Sequence, residues 1–183
     1  MKVLRVHRYV GVLLSVPLLL WLATGLVFLV KPGYAGAYEQ LSIVTYPLTQ
    51  TDAIVQDTYQ EIRLVQTKLG RHLLARDEFG WHHFDPSTGH DWPFDSESAR
   101  ILVTDALTRN PERYGAIQSQ SENVFQTDRG VTVTLDWDRL ALAQRGRDTG
   151  FIDALYRVHY LQWTGSSWAD RTLAVVTLCL WRS

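Results

Sequence analysis

An uncharged run of twenty-one residues, Val10–Val30, constrains this chain more than any other feature of its sequence. As an α-helix rising 1.5 Å per residue, the run would measure about 31 Å, the thickness of a bilayer's hydrocarbon core. A cleaved signal peptide is the alternative, because Ala35–Ala37 has the small residues of a cleavage site. The apolar part of a signal peptide covers only about 7–15 residues, however. The run therefore predicts a retained N-terminal transmembrane helix.

Basic residues on either side of this run predict its orientation. Three of them, Lys2, Arg5 and Arg8, precede the run, whereas Lys31 alone follows it closely. Positive charge favours the cytoplasmic side of a membrane. The N-terminus is therefore predicted to be cytoplasmic and the main domain periplasmic. The predicted location is a bacterial inner membrane, with the lipid bilayer as a partner.

A second apolar segment, Thr172–Trp181, is too short to span a bilayer. Ten helical residues measure about 15 Å, and Asp170 and Arg171 prevent an extension towards the N-terminus. The segment is either the start of a second transmembrane helix, which we favour, or an interfacial segment. The stretch Phe151–Trp163 before it predicts an amphipathic interfacial helix, whose shared face carries Ile152, Tyr156, His159 and Trp163.

The polar middle of the chain predicts an α+β domain with antiparallel strands. A helix is expected over Thr51–Gln60, and a second helix from Asp95 or Ser96 to about Arg109. Alternating patterns and turn residues predict strands at 61–68, 71–76, 81–85, 116–119, 124–127, 131–136 and 140–144. Because a helix precedes strands twice, the domain is interpreted as a duplicated unit. The predicted organisation is 1–32 (cytoplasmic flank and transmembrane helix), 33–150 (periplasmic domain) and 151–183 (interfacial helix and incomplete second transmembrane segment).

Composition and motifs exclude several functions. The 183 residues carry a net charge of −1 without a basic field, so no nucleic-acid partner is expected. Cys179 is the only cysteine, which excludes an intramolecular disulfide and a cysteine zinc site. The sequence contains no phosphate-binding glycine loop, no nucleophile motif and no His-Glu-x-x-His. No catalytic residue is therefore predicted.

Three stretches of the chain form a recognisable set of motifs. They are His7-Arg8-Tyr9-Val10-Gly11 with Ala23-Thr24-Gly25-Leu26 at the end of the apolar run, Phe84-Asp85-Pro86-Ser87-Thr88-Gly89, and the stretch from Tyr156 to Gly165. Together they resemble the PepSY-associated transmembrane family of bacterial inner-membrane proteins. The resemblance implies a PepSY-like periplasmic domain between two membrane helices. Some larger members of the family resemble haem-bearing reductases of iron–siderophore complexes. This chain differs from them in its number of spans, and Asp136–Arg139 replaces the second Asp-Pro-x-Thr-Gly turn.

His7 and His159 are the candidate haem ligands, since a membrane histidine is a plausible axial ligand and Gly11 leaves space one turn from His7. A spanning helix would hold the two histidines about 30 Å apart, so they cannot ligate one haem. Each could instead pair with its own symmetry mate in a two-fold dimer. The alternative is that His7 belongs to the cationic flank and His159 to the interface.

A weaker candidate metal site comprises His83, His90 and Asp85. Imidazole and carboxylate groups suit zinc, copper or iron, and His83 and His90 could approach each other across a hairpin. His82 and His83 point to opposite faces of a strand. The alternative is a solvated polar hairpin face.

Two hypotheses of function follow from these observations. The first is a non-enzymatic inner-membrane protein of PepSY type, whose periplasmic domain is an interaction or accessory module. Its partners would be a second copy of the chain or another membrane protein. The second is a haem-binding membrane electron carrier.

Overall fold

The computed structural model describes residues 2–55, 58–160, 162, 166–168, 170–172 and 175. The chain divides into two compact units, Met1–Tyr38 with Asp148–Ser183, and Glu39–Arg147. The helices are α1 (Lys2–Val30), α2 (Tyr34–Ala37), α3 (Ser96–Leu107), α4 (Pro111–Tyr114) and α5 (Arg147–His159). The strands are β1 (Glu61–Thr67), β2 (Gly70–Arg76), β3 (Trp81–Phe84), β4 (Ile117–Ser121), β5 (Val124–Thr127), β6 (Thr132–Asp136) and β7 (Ala141–Arg145).

The unit Glu39–Arg147 contains two antiparallel sheets, one in the order β1-β2-β3 and the other in the order β4-β5-β6-β7. Neighbouring strands follow each other in sequence, because each pair is joined by a short turn. The α+β class with antiparallel strands is confirmed. The predicted strand positions agree with the observed ones to within two residues.

Helix α3 supplies the apolar face that covers the core of this unit. Asp95 caps its N-terminus, since its Oδ2 accepts a hydrogen bond from the Ser98 N–H at 2.8 Å. The buried positions recur at helical spacing, namely Ala99, Leu102, Val103, Ala106 and Leu107. They share one core with side chains from both sheets, including Leu74, Phe125, Val133, Leu135 and Trp137.

The helix predicted over Thr51–Gln60 is wrong for the described residues of that segment. Residues 51–55 and 58–60 have no helical structure. The segment instead bonds to the first sheet, because the Ile54 N–H donates to Pro86 O and the Gln60 N–H donates to Arg76 O. These tertiary hydrogen bonds outweigh a weak local helix propensity. The interpretation as a duplicated unit requires a helix before each set of strands. The first of these two helices is absent from the described residues of 51–60.

The prediction of an N-terminal transmembrane helix is corrected by the structure. Among the described residues, no helix has both the length and the apolar character needed to cross a bilayer.

The second predicted span lies almost entirely outside the described residues. In Thr172–Trp181, only residues 172 and 175 are described, so the start of a second transmembrane helix lies outside the described residues. The predicted helix before it is observed as α5, which begins and ends four residues earlier than expected. Three members of the predicted shared face are described: Ile152 is buried, and both Tyr156 and His159 contact side chains of α1. The fourth, Trp163, lies outside the described residues.

Candidate functional site

Two histidines lie side by side in the interior of the unit Glu39–Arg147. Strands β2 and β3 pair so that Leu74 lies opposite His83, which makes His72 the diagonal neighbour of His83 on the same face. The His72 Nδ1 and His83 Nε2 atoms are 2.8 Å apart. Solvent reaches 0% of His72 and 3% of His83. The turn between β2 and β3 therefore builds a buried histidine pair.

A chain of hydrogen bonds links this pair to Thr67. The Thr67 Oγ1 accepts from the Leu69 N–H at 3.1 Å and lies 2.7 Å from His72 Nε2. With the Thr67 hydroxyl as donor to His72 Nε2, the His72 Nδ1–H donates to His83 Nε2. The remaining proton is then on His83 Nδ1. That atom lies near the Trp137 backbone without a hydrogen bond of good geometry to any described residue.

Burial keeps both imidazoles neutral. Desolvation lowers the pKa of His72 from 6.5 to about 4, against a small opposing effect of Asp85. Desolvation, and then repulsion from His72, lowers the pKa of His83 from 6.5 to about 3. Neutral imidazoles can share one hydrogen bond, because one ring donates and the other accepts. A pair so shielded from solvent cannot reach a substrate as an acid or a base.

Two tryptophans enclose the histidine pair. The ring of Trp92 stacks on His72 at a centroid distance of 4.4 Å and on His83 at 5.3 Å. Trp137 contacts His83 at 5.0 Å, and its Nε1–H donates to Trp92 O at 2.8 Å. Phe94 then packs edge-on against Trp137, with centroids 5.6 Å apart and planes at 82°. Trp137 thus connects the buried pair with the surface at Phe94.

An open cleft with a volume of about 830 Å³ lies on the outer side of Trp137. Its wall combines Phe94, the turn before β5, and the hairpin formed by β6 and β7. Leu142 and Ala143 line the β7 side. Phe94 is 40% exposed, and Trp137 is 7% exposed. Clefts of about 300–1,000 Å³ commonly bind ligands, so this cleft is the candidate binding site.

The ionisable groups of the cleft are mostly acidic. Glu122, Asp136 and Asp138 contribute three carboxylates, and Arg139 contributes the one guanidinium among the described lining residues. The net formal charge of the lining is therefore −2. Arg139 Nε lies 4.0 Å from Asp136 Oδ2, and the backbone N–H of Arg139 donates to Asp136 Oδ1 at 3.2 Å. Asp136 consequently acts as the turn former that its sequence position predicts, while it also faces the cleft.

The three predicted metal ligands have different surroundings. His83 is buried beneath the tryptophans, whereas His90 is exposed. The Asp85 carboxylate accepts hydrogen bonds from the N–H and the hydroxyl of Ser87, which lower its pKa. In the described ranges, no group of three or more His, Cys, Asp or Glu side chains is close enough to hold a metal ion. Metal binding at these residues stays a prediction.

The two predicted haem ligands lie far apart in the first unit. His7 is exposed on α1, and Thr24, which contacts His159, lies seventeen residues further along that helix, about 25 Å. With the Thr24 hydroxyl as donor to Leu20 O at 2.8 Å, its oxygen accepts from the His159 Nδ1–H at 2.9 Å. This contact leaves the lone pair on His159 Nε2, which has no hydrogen-bond partner among the described residues.

Aromatic rings hold the His159 imidazole in position. Trp21 stacks on it with a centroid distance of 5.3 Å and an angle of 13°. Phe28 contacts it edge-on at 4.9 Å, and also stacks on Tyr156 at 4.5 Å. A side-chain carbon on Gly25 would lie 3.9 Å from His159 Cε1, an ordinary van der Waals distance. The orientation of the ring is thus determined by α1.

Comparisons with known proteins find no relative. No protein-family model matches the chain, no curated protein matches it, and no solved structure matches it. The resemblance to the PepSY-associated transmembrane family therefore receives no support from these comparisons. The candidate site depends on the geometry alone.

Only part of this site is predicted from the sequence. His83 is included as a candidate metal ligand and Trp137 lies within the Asp136–Arg139 turn, whereas neither His72 nor Phe94 is predicted as a site residue. The sequence does contain one signal for the histidines. A turn over Asp77–Gly80 pairs Arg76 with Trp81, and the same register brings His72 near His83. No local pattern predicts the cleft, because its walls come from distant parts of the chain.

Proposed function

We propose that the unit Glu39–Arg147 is a non-enzymatic binding module, and that its cleft binds a polypeptide segment of a partner protein. One observation carries this proposal: a cleft of about 830 Å³ is lined by Phe94, which is 40% exposed, and by three carboxylates. Two of these carboxylates belong to turns and one to the end of a strand. Aromatic side chains are enriched at protein interfaces, where they supply a large contact area.

The buried histidines support a non-enzymatic interpretation. They have the most strongly lowered pKa values in the unit, yet no substrate can contact them. Perturbed titratable groups indicate catalysis when they line a cleft, and these two groups lie behind its wall. Their contacts with Trp92 and Trp137 instead stiffen that wall, which favours binding.

A peptide-selection experiment tests the proposal. A pool of synthetic heptapeptides is passed over the immobilised chain, and retained peptides are identified by mass spectrometry. Ala143→Phe fills the exposed β7 side of the cleft and is expected to abolish retention. Ser119→Phe, on the exposed face of β4, is the matched control and should retain the same peptides. Equal retention by the wild type and Ala143→Phe would contradict the proposal.

A second candidate function is haem binding at His159, and the fixed tautomer favours it. Metal-bound histidines commonly donate their other N–H to an oxygen, as the His159 Nδ1–H does to Thr24. The free Nε2 would then be one axial ligand, and haem would supply one-electron chemistry. His7 is too distant to complete the same site, so a second ligand would come from another chain.

A visible absorption spectrum of the purified chain, expressed with haem supplementation, tests this candidate. We expect a Soret band that is lost in His159→Ala and shifted or weakened in Thr24→Val. The exposed His90→Ala variant serves as the control and should keep the band. A Soret band of equal intensity in His159→Ala would exclude the assignment.

A further inference from the structure

We propose that the polypeptide segment bound in this cleft is cationic, with an apolar side chain that contacts Phe94 and Trp137 between two or more lysines or arginines. This inference rests on the proposed function and specifies its partner. It follows from the charge, the aromatic corner and the arrangement of the carboxylates.

Charge complementarity indicates a cationic partner. Glu122 lies in the turn before β5 and Asp136 at the end of β6, and the two are neighbours because the Leu135 N–H donates to Asn123 O at 2.9 Å. Asp138 follows in the turn after β6. Arg139 neutralises at most one of them, because its closest approach is to Asp136. The carboxylate of Asp138 has no ion-pair partner among the described residues. A cation on the partner would meet an excess of negative charge, whereas an anion would be repelled.

Apolar contact is the second requirement. The rings of Phe94 and Trp137 are nearly perpendicular, and their edge-to-face contact forms a corner at the cleft wall. Leu142 and Ala143 add aliphatic surface to the wall of the cleft. An apolar side chain in this corner would remove aromatic area from water at about 25 cal/mol per Å². A ligand with charged groups alone would leave the aromatic surface of this corner exposed to water.

The combination of carboxylates and aromatic rings in one cleft favours a chain over a small monocation. One ammonium group would meet the carboxylates and leave Phe94 and Trp137 without a contact. An extended peptide advances about 3.3 Å per residue and sends successive side chains to opposite faces. Alternating cationic and apolar residues therefore reach the carboxylates and the aromatic corner together.

Labelled heptapeptides of defined composition test the inference. The first alternates leucine with lysine, the second replaces each lysine by glutamate, and the third replaces each leucine by serine. Fluorescence anisotropy with the full chain is expected to show binding of the first peptide, at least tenfold weaker binding of the other two, and weaker binding at higher salt. Spermidine should not displace the first peptide at equal concentration. Equal binding of the glutamate or serine peptide, or displacement by spermidine, would overturn the inference.

Variants of the cleft connect the binding to its residues. Asp136→Asn/Asp138→Asn keeps the acceptor for the Arg139 N–H and is expected to weaken binding about tenfold. Phe94→Ala should weaken it by a similar factor. Glu78→Gln/Glu112→Gln changes the net charge equally at exposed positions outside the cleft and should leave affinity unchanged. An equal loss in this control would overturn the inference.

The two proposals fail in different ways. If the heptapeptide pool is retained through the cleft but its members are neutral or acidic, the cationic partner is wrong and the binding module stands. If Ala143→Phe retains the pool as the wild type does, the binding module itself is wrong.

Discussion

The imidazoles of His72 and His83 share one hydrogen bond and one stacking partner, so a change in either ring affects the other. A proton added to the ring that accepts this hydrogen bond leaves two N–H donors facing each other over 2.8 Å. That proton also brings a charge into a site from which water is excluded. At the scale of single residues, protonation of this pair is therefore expected to destabilise the fold.

We expect the free energy of unfolding to decrease as the pH falls from 6.5 towards 4. The folded pKa values, about 4 for His72 and about 3 for His83, lie below the unfolded value of 6.5, so the unfolded chain binds protons first. The contribution of the pair to the free energy of unfolding is fully present above pH 6.5. Below that pH it decreases by up to about 1.4 kcal/mol per pH unit for each histidine. Urea unfolding followed by circular dichroism at pH 7.5, 5.5 and 4.5 measures this slope.

Two variants separate the pair from other acid effects. His72→Phe/His83→Leu should flatten the slope, because apolar rings and chains in the same space have no proton to gain. His82→Gln changes the partly exposed neighbour that contacts Asp77 and should keep the slope. An unchanged slope in the double variant would show that the pair is not responsible.

At the scale of elements, alternation and turn chemistry predicted the strands well. The pattern of Glu61–Thr67 and Gly70–Arg76 is local, and so is the Asp85–Gly89 turn. The segment 51–60 was predicted wrongly because its conformation depends on distant partners, among them Pro86 and Arg76. The predicted second helix ends at about Arg109 and the short helix α4 is not predicted, although proline at the first helical position is favourable with Asn110 as cap.

Gly115→Ala is expected to destabilise the passage from α4 into β4 by about 1–3 kcal/mol. Gly115 has a φ of 63° and a ψ of −136°, a conformation that side chains disfavour. A methyl group there would also overlap Asp128 Oδ1, which accepts a hydrogen bond from the Ala116 N–H. Thermal unfolding measures the loss. Gly150→Ala in α5 has open space and should be neutral or stabilising; equal midpoints for the two variants would contradict this account.

At the scale of the molecule, the α+β class was predictable and the binding surface was not. Antiparallel sheets follow from strands joined by short turns, which are local features. The cleft requires Phe94, Asn123 and Leu142 to meet, and no pattern within the sequence specifies that meeting. The hydropathy of Val10–Val30 likewise led to a transmembrane prediction that the described residues do not support. Hydropathy is a property of one segment, whereas the fold depends on the contacts between segments.

The fragment 39–147 is expected to fold by itself. Every buried residue of its core cluster lies between Leu41 and Leu140, and about 110 residues is an ordinary size for a domain. Near-ultraviolet circular dichroism and a cooperative thermal transition would report the packed tryptophans. The fragment 61–147 lacks Leu41 and Ile43 and should be less stable. A flat near-ultraviolet spectrum for 39–147 would contradict the expectation.

The reciprocal hydrogen bond between His72 and His83 also has an evolutionary consequence. Substitution of one ring alone leaves the other with an unsatisfied buried nitrogen, which costs about 1–3 kcal/mol. Replacement of both by apolar residues avoids that cost, so selection acts on the two positions jointly. Related sequences should keep both histidines or lose both, and lineages with only one should be short-lived intermediates.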